Sequence, residues 1–94
     1  MTNDALGDIR ARLDDVDERL VGLLAERGDL IREVIDFKRA QQMGVVDRGR
    51  EDDMLVRIEV LASERGLDPR IARQVLRAVI DAFTLLEVEQ LESD

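Results

Sequence analysis

The chain has no cysteine, no histidine, no tryptophan and no tyrosine, and it has a single proline. Without cysteine there is no disulfide framework and no thiol chemistry. Without histidine, imidazole-ligated metal sites and triads that use a histidine base are excluded. The aromatic complement is two phenylalanines, too few for a surface that stacks nucleic-acid bases. Basic charge is also scarce, with 14 Lys+Arg against 22 Asp+Glu and a formal net charge of −8. Phosphate backbones are bound by clustered Lys and Arg, so a nucleic-acid partner is not expected. No apolar run approaches the roughly 20 residues that cross a bilayer, and the first residues do not read as a signal peptide. A cytoplasmic protein that does not enter a membrane is the expectation.

What is present is apolar and charged in nearly equal measure. Of the 94 residues 45% are hydrophobic and 38% charged, with 6 glycines. That mixture can build a core but has few turn formers, and it reads as all-α. One domain over residues 1–94 is the expected organisation. Two breaks divide it: Gln41-Gln42-Met43-Gly44-Val45-Val46-Asp47, and Gly66-Leu67-Asp68-Pro69. In the second, Gly66 can end a helix, Asp68 can cap the next and Pro69 suits its first turn. Three helices are predicted, over roughly 4–42, 48–65 and 69–91.

The first helix is unusually long. Ile9, Leu13, Val16, Leu20, Leu23, Leu24, Leu30, Ile31, Val34 and Ile35 keep steps of three and four residues, the period of one helical face. At 1.5 Å per residue it would be on the order of 55 Å long, against a radius of gyration near ~12 Å for a compact chain of this size. A seam of that length needs a second chain to cover it, so an intertwined homodimer is expected. The last helix repeats the logic with Ile71, Val75, Val79, Phe83 and Leu86, and the middle one offers Met54, Leu55, Ile58 and Leu61.

Most charges sit three or four residues from an opposite charge, as Arg12 does with Asp8 and Asp15, and Arg32 with Asp29 and Asp36. These read as a solvated face worth a few tenths of a kcal/mol per pair. Arg27 breaks the pattern, because its helical neighbours are Leu23, Leu24, Leu30 and Ile31. Lys38 continues the same stripe beside Val34, Ile35, Gln41 and Gln42, with no acid among them. Cations on an apolar seam are costly unless an anion meets them there. An interchain ion pair, side chains reaching past the seam and an anionic ligand all satisfy that demand. Asp47-Arg48-Gly49-Arg50-Glu51 opens the middle helix with mixed charge, and acids at a helix start are ordinary. Glu87 lies on the inner stripe of the last helix between Phe83 and Leu91, with no base at helical spacing. A carboxylate there either keeps its proton, finds a cation from another helix or reaches solvent.

Ile9-Arg10, then Leu23-Leu24-Ala25-Glu26-Arg27, then Lys38, then Asp47-x-x-Arg50-Glu51 form an ordered set that resembles the all-helical AroQ-type (type II) chorismate mutases. The resemblance runs over nearly the whole chain without a gap. It implies an intertwined homodimer with shared active sites and the Claisen rearrangement of a small dianion, chorismate, to prephenate. No cofactor or metal is implied, and a pericyclic step needs neither nucleophile nor proton shuttle. It needs a held conformer and stabilised negative charge on the breaking ether oxygen. By position, Arg10 of the partner subunit and Arg27 would hold the two carboxylates. Lys38 would meet the ether oxygen and a carboxylate, and Arg50 would support the carboxylate-binding region. Glu51, with backbone near Asp47, would take the ring hydroxyl.

Two positions depart from the better-known bacterial pattern. Glu87 stands where a Gln commonly shares the ether oxygen with the lysine, and must be protonated to donate. Phe83 stands where a small hydroxyl residue often helps hold a carboxylate, and Thr84 next to it points about 100° away. Related enzymes on this fold act on 4-amino-4-deoxychorismate or isochorismate. Such an activity, or a non-catalytic helical dimerisation module, is the alternative expectation.

Overall fold

A computed structural model describes residues 4–44 and 46–93. They form α1 (Asp4–Gln41), α2 (Arg48–Glu64) and α3 (Pro69–Glu92), with no strand among the described residues. The all-α expectation holds, with each predicted boundary met to within one residue. Val45, in the first predicted break, lies outside the described residues. The chain divides into two compact units, Met1–Glu33 and Val34–Asp94.

The first unit, over its described residues, is the greater part of α1 alone. Its apolar seam is exposed: Leu13 is 55% accessible and Leu23 61%, and Ile9, Val16, Leu20 and Leu24 are exposed as well. A helix of this kind gains most of its stability from packing its apolar face, and nothing within the unit supplies that packing.

The second unit holds the core. Leu55 is fully buried, and Ile35, Ala62, Ala72 and Ile80 are nearly so. Arg77 pairs with Glu51 and Arg73 with Glu59. The partners run forward on one helix and backward on the other, so α2 and α3 pack antiparallel. The turn between them is built as the sequence predicts. Gly66 has φ +75°, the left-handed position that glycine adopts without cost. Leu67 N–H donates to Ala62 O at 2.9 Å and Gly66 N–H to Ser63 O at 3.3 Å, the paired bonds of a Schellman stop. The Asp68 carboxylate then accepts from Arg70 N at 2.9 Å, with Pro69 in the first turn of α3.

The end of α1 is closed by a residue other than glycine. The left-handed position belongs to Gln42, with φ 55°, and not to Gly44. Met43 N–H donates to Lys38 O at 2.9 Å and Gln42 N–H to Arg39 O at 3.3 Å. The same two-bond stop therefore closes α1 on a residue with a side chain, which costs roughly 1–2 kcal/mol. It puts Lys38 in the last turn.

Asp68 also receives the Arg70 guanidinium at 2.7 Å. That side-chain bond, then the backbone bond from Arg70, holds its carboxyl below the usual range. A carboxylate whose pKa is lower folded than unfolded stabilises the fold above its unfolded value, near pH ~4, and the gain is lost as pH falls through the folded value. Asp68→Ala should therefore melt at a lower temperature than the parent at pH 7. The gap should narrow on acidification below about pH 4, as followed by circular dichroism.

Candidate active site

Two carboxylates are buried among the described residues, Glu51 and Glu87, each 7% accessible. Burying such a group is costly unless a cation or hydrogen-bond donor accompanies it, and each has one. Lys38 Nζ donates to Glu87 Oε1 at 3.0 Å, with the two side chains 17% and 9% exposed. The cation lies in the last turn of α1 and the acid in the last turns of α3. Next to this pair Arg39 Nη2 donates to the carbonyl oxygen of Gln90 at 3.0 Å, which ties the end of α1 to α3 a second time. Glu87 thus finds its cation on another helix, one of the outcomes its sequence setting allowed. Lys38 finds within its own chain the acid that its helix lacks.

Glu51 is held from two sides. Arg77 Nη1 on α3 donates to its Oε1 at 3.0 Å, and Arg48 Nη1, one turn earlier on α2, donates to the same atom at 3.2 Å. By charge pattern alone Glu51 reads as an ordinary acid at a helix start; the structure buries it. Asp47 is the N-cap of α2, and its side chain accepts from Arg50 N at 3.0 Å. Asp47, Arg50 and Glu51 are thereby gathered at one helix start. Arg50 itself is exposed, and Phe83 and Thr84 are half-buried on α3. Arg10 and Arg27 belong to the first unit, where Arg10 is exposed and Arg27 half-buried.

Sequence reasoning missed Arg77. It has Asp81 four residues on, at 3.5 Å, so it passes for one more surface pair. Its bond to Glu51 spans 26 residues, and no helical spacing reveals it. The Glu51 bond, the largest influence on it, holds the Arg77 guanidinium above its usual pKa and so fully charged.

The residues of the second unit thus offer a cation in a sheltered position, an acid beside it and a second acid with fixed orientation. That set presents one preorganised cation and two oriented carboxyl groups to a small polar molecule. The family model for chorismate mutase type II matches residues 9–88. The chain belongs to that family. The matched span opens one residue before Arg10 and closes one residue after Glu87, so every candidate residue lies inside it. Among characterised members, the chorismate mutase of Methanocaldococcus jannaschii is 29% identical over 87 residues, covering 93% of this chain and 88% of the relative. The bifunctional chorismate mutase/prephenate dehydratase of Escherichia coli K12 is 31% identical over 84 residues, 89% of this chain but 22% of that protein.

In this family member the Lys38–Glu87 pair can be tested without substrate. Glu87→Leu removes the acid and leaves a sheltered ammonium without it, which costs about 1–3 kcal/mol. Glu87→Gln keeps an acceptor for Lys38 and should cost less. Urea unfolding of both variants should rank them in that order.

Proposed function

We propose that this chain rearranges chorismate to prephenate, as a cytoplasmic homodimer in which each active site draws one arginine from the second copy. The observation that carries the reading is the sheltered Lys38–Glu87 pair, standing where the family pattern meets the ether oxygen.

The reaction breaks a C–O bond and forms a C–C bond within one molecule. Negative charge builds on the ether oxygen as the bond stretches. A positioned ammonium stabilises that charge without reorganising at the moment of reaction. Lys38 is such a group: it is sheltered from water and tethered at 3.0 Å by Glu87. Glu87 is the second group that the family pattern directs at the same oxygen, to which a carboxyl can donate only when it carries a proton. Arg27, with Arg10 of the partner subunit, meets the two carboxylates and holds the compact conformer. Arg50 supports that region from the start of α2. Glu51 accepts from the ring hydroxyl, beside the backbone that Asp47 caps. Phe83 supplies apolar surface that excludes water.

The dimer is supported by the exposed seam of the first unit. Leu6, Leu13, Leu20 and Leu23 are each at least half exposed, and a second copy of the same helix would cover them. Sedimentation equilibrium at micromolar concentration should return twice the chain mass. A folded, active monomer would remove Arg10 from the site.

The chemistry is tested by spectrophotometric assay with purified chorismate. Lys38→Ala should lose roughly 3 kcal/mol or more of transition-state stabilisation, and kcat should fall more than substrate affinity, because the charge it meets develops in the transition state. Glu87→Gln, whose amide donates without first taking up a proton, should keep or raise turnover, and Glu87→Ala should lose it. Near-normal turnover in a folded Lys38→Ala variant would refute the assignment.

A further inference from the structure

We infer that Arg77 is a positioning residue that sets Glu51 as the acceptor for a neutral ring hydroxyl. The inference rests on the reading above, in which Glu51 meets the substrate's ring substituent, and adds to it a residue on a different helix.

The geometry of Glu51 is one-sided. Both arginine bonds fall on Oε1, from Arg77 at 3.0 Å and from Arg48 at 3.2 Å. Among the described residues no hydrogen bond reaches Oε2. A carboxylate bound by two donors at one oxygen is restrained there, and its second oxygen can accept from a ligand. The two arginines do not contribute equally. The Arg48 side chain is 76% exposed and that of Arg77 34%. Charge–charge attraction is weakened by water around the more exposed partner, so Arg77 is the stronger anchor. Its other acid, Asp81, is more distant at 3.5 Å and 61% exposed, which leaves most of the Arg77 interaction with Glu51.

Two consequences follow for the substrate. Glu51 is held ready before binding, so no rotamer entropy is lost when the hydroxyl arrives. Its negative charge is already offset by Arg77. The carboxylate then suits a neutral O–H donor better than an ammonium group, which gains most from an uncompensated anion and is repelled by the nearby guanidinium. Arg77 therefore acts on recognition of the ring substituent through Glu51, without touching the substrate.

The experiment measures kcat and KM for chorismate and for its analogue with an amino group in place of the ring hydroxyl. The proteins are the parent, Arg77→Gln, Glu51→Gln and the double variant, with unfolding curves for each. Arg77→Gln should lose about tenfold in kcat/KM on chorismate, the loss of one hydrogen bond to a charged group, and lose less on the amino analogue. In the Glu51→Gln background the same change should cost little further, because the group through which it acts has gone. Losses that multiply in the double variant, or that fall equally on both substrates, would overturn the proposal and leave Arg77 as a tie between helices. Should Arg77→Gln fail to fold, Arg77→Lys keeps the charge without the guanidinium geometry. It should lose part of kcat/KM on chorismate and, because the charge beside Glu51 is kept, retain the chorismate preference; a lost preference would overturn the proposal. A parent protein that does not convert chorismate would overturn the functional reading itself and this inference with it. An active parent with multiplying losses overturns the inference alone.

Discussion

A carboxylate withdrawn from water must meet a cation or a donor, and two such groups organise residues 34–93. Glu87 meets Lys38 and Glu51 meets Arg77. Each bond joins two helices, α1 to α3 and α2 to α3, so the polar site and the packing of the second unit are one arrangement. Replacing either acid with an apolar residue takes a partner from a sheltered cation, whereas replacing a whole pair with apolar groups can be neutral or stabilising.

The helix ends lie beside the same residues. The two-bond stop at Gln42 closes α1 one turn after Lys38, and accepts a left-handed non-glycine residue to do so. Asp47 then starts α2 and brings Glu51 into its first turn. The lysine and the second acid thus flank one connection, on helix ends closed by local backbone bonds. A reaction governed by electrostatic preorganisation depends on such rigidity, because donors that must reorganise lose their advantage in the transition state.

The composition fits the chemistry. A unimolecular rearrangement asks for no nucleophile, metal or proton shuttle, so the absence of histidine and cysteine is no obstacle to it. What the chain has are arginines and a lysine in positions where an ordinary core would carry leucine. That contrast made Arg27 and Lys38 visible in the sequence. The family match over residues 9–88 puts them in a chain with the corresponding activity.

Elements whose cause is local were legible in the sequence. The 3.6-residue period of apolar side chains predicted three helices, and Gly66, Asp68 and Pro69 predicted the second turn in detail. These rest on bonds between residues two to five apart. The sequence also showed that Lys38 and Glu87 each lacked an opposite charge within reach on its own helix. That they answer each other, 49 residues apart, and that Arg77 answers Glu51 across 26, was decided only by the tertiary structure. Helical spacing reports which side chains share a face. It is silent on which faces meet, because that depends on the antiparallel register of α2 and α3 and on where α1 stops.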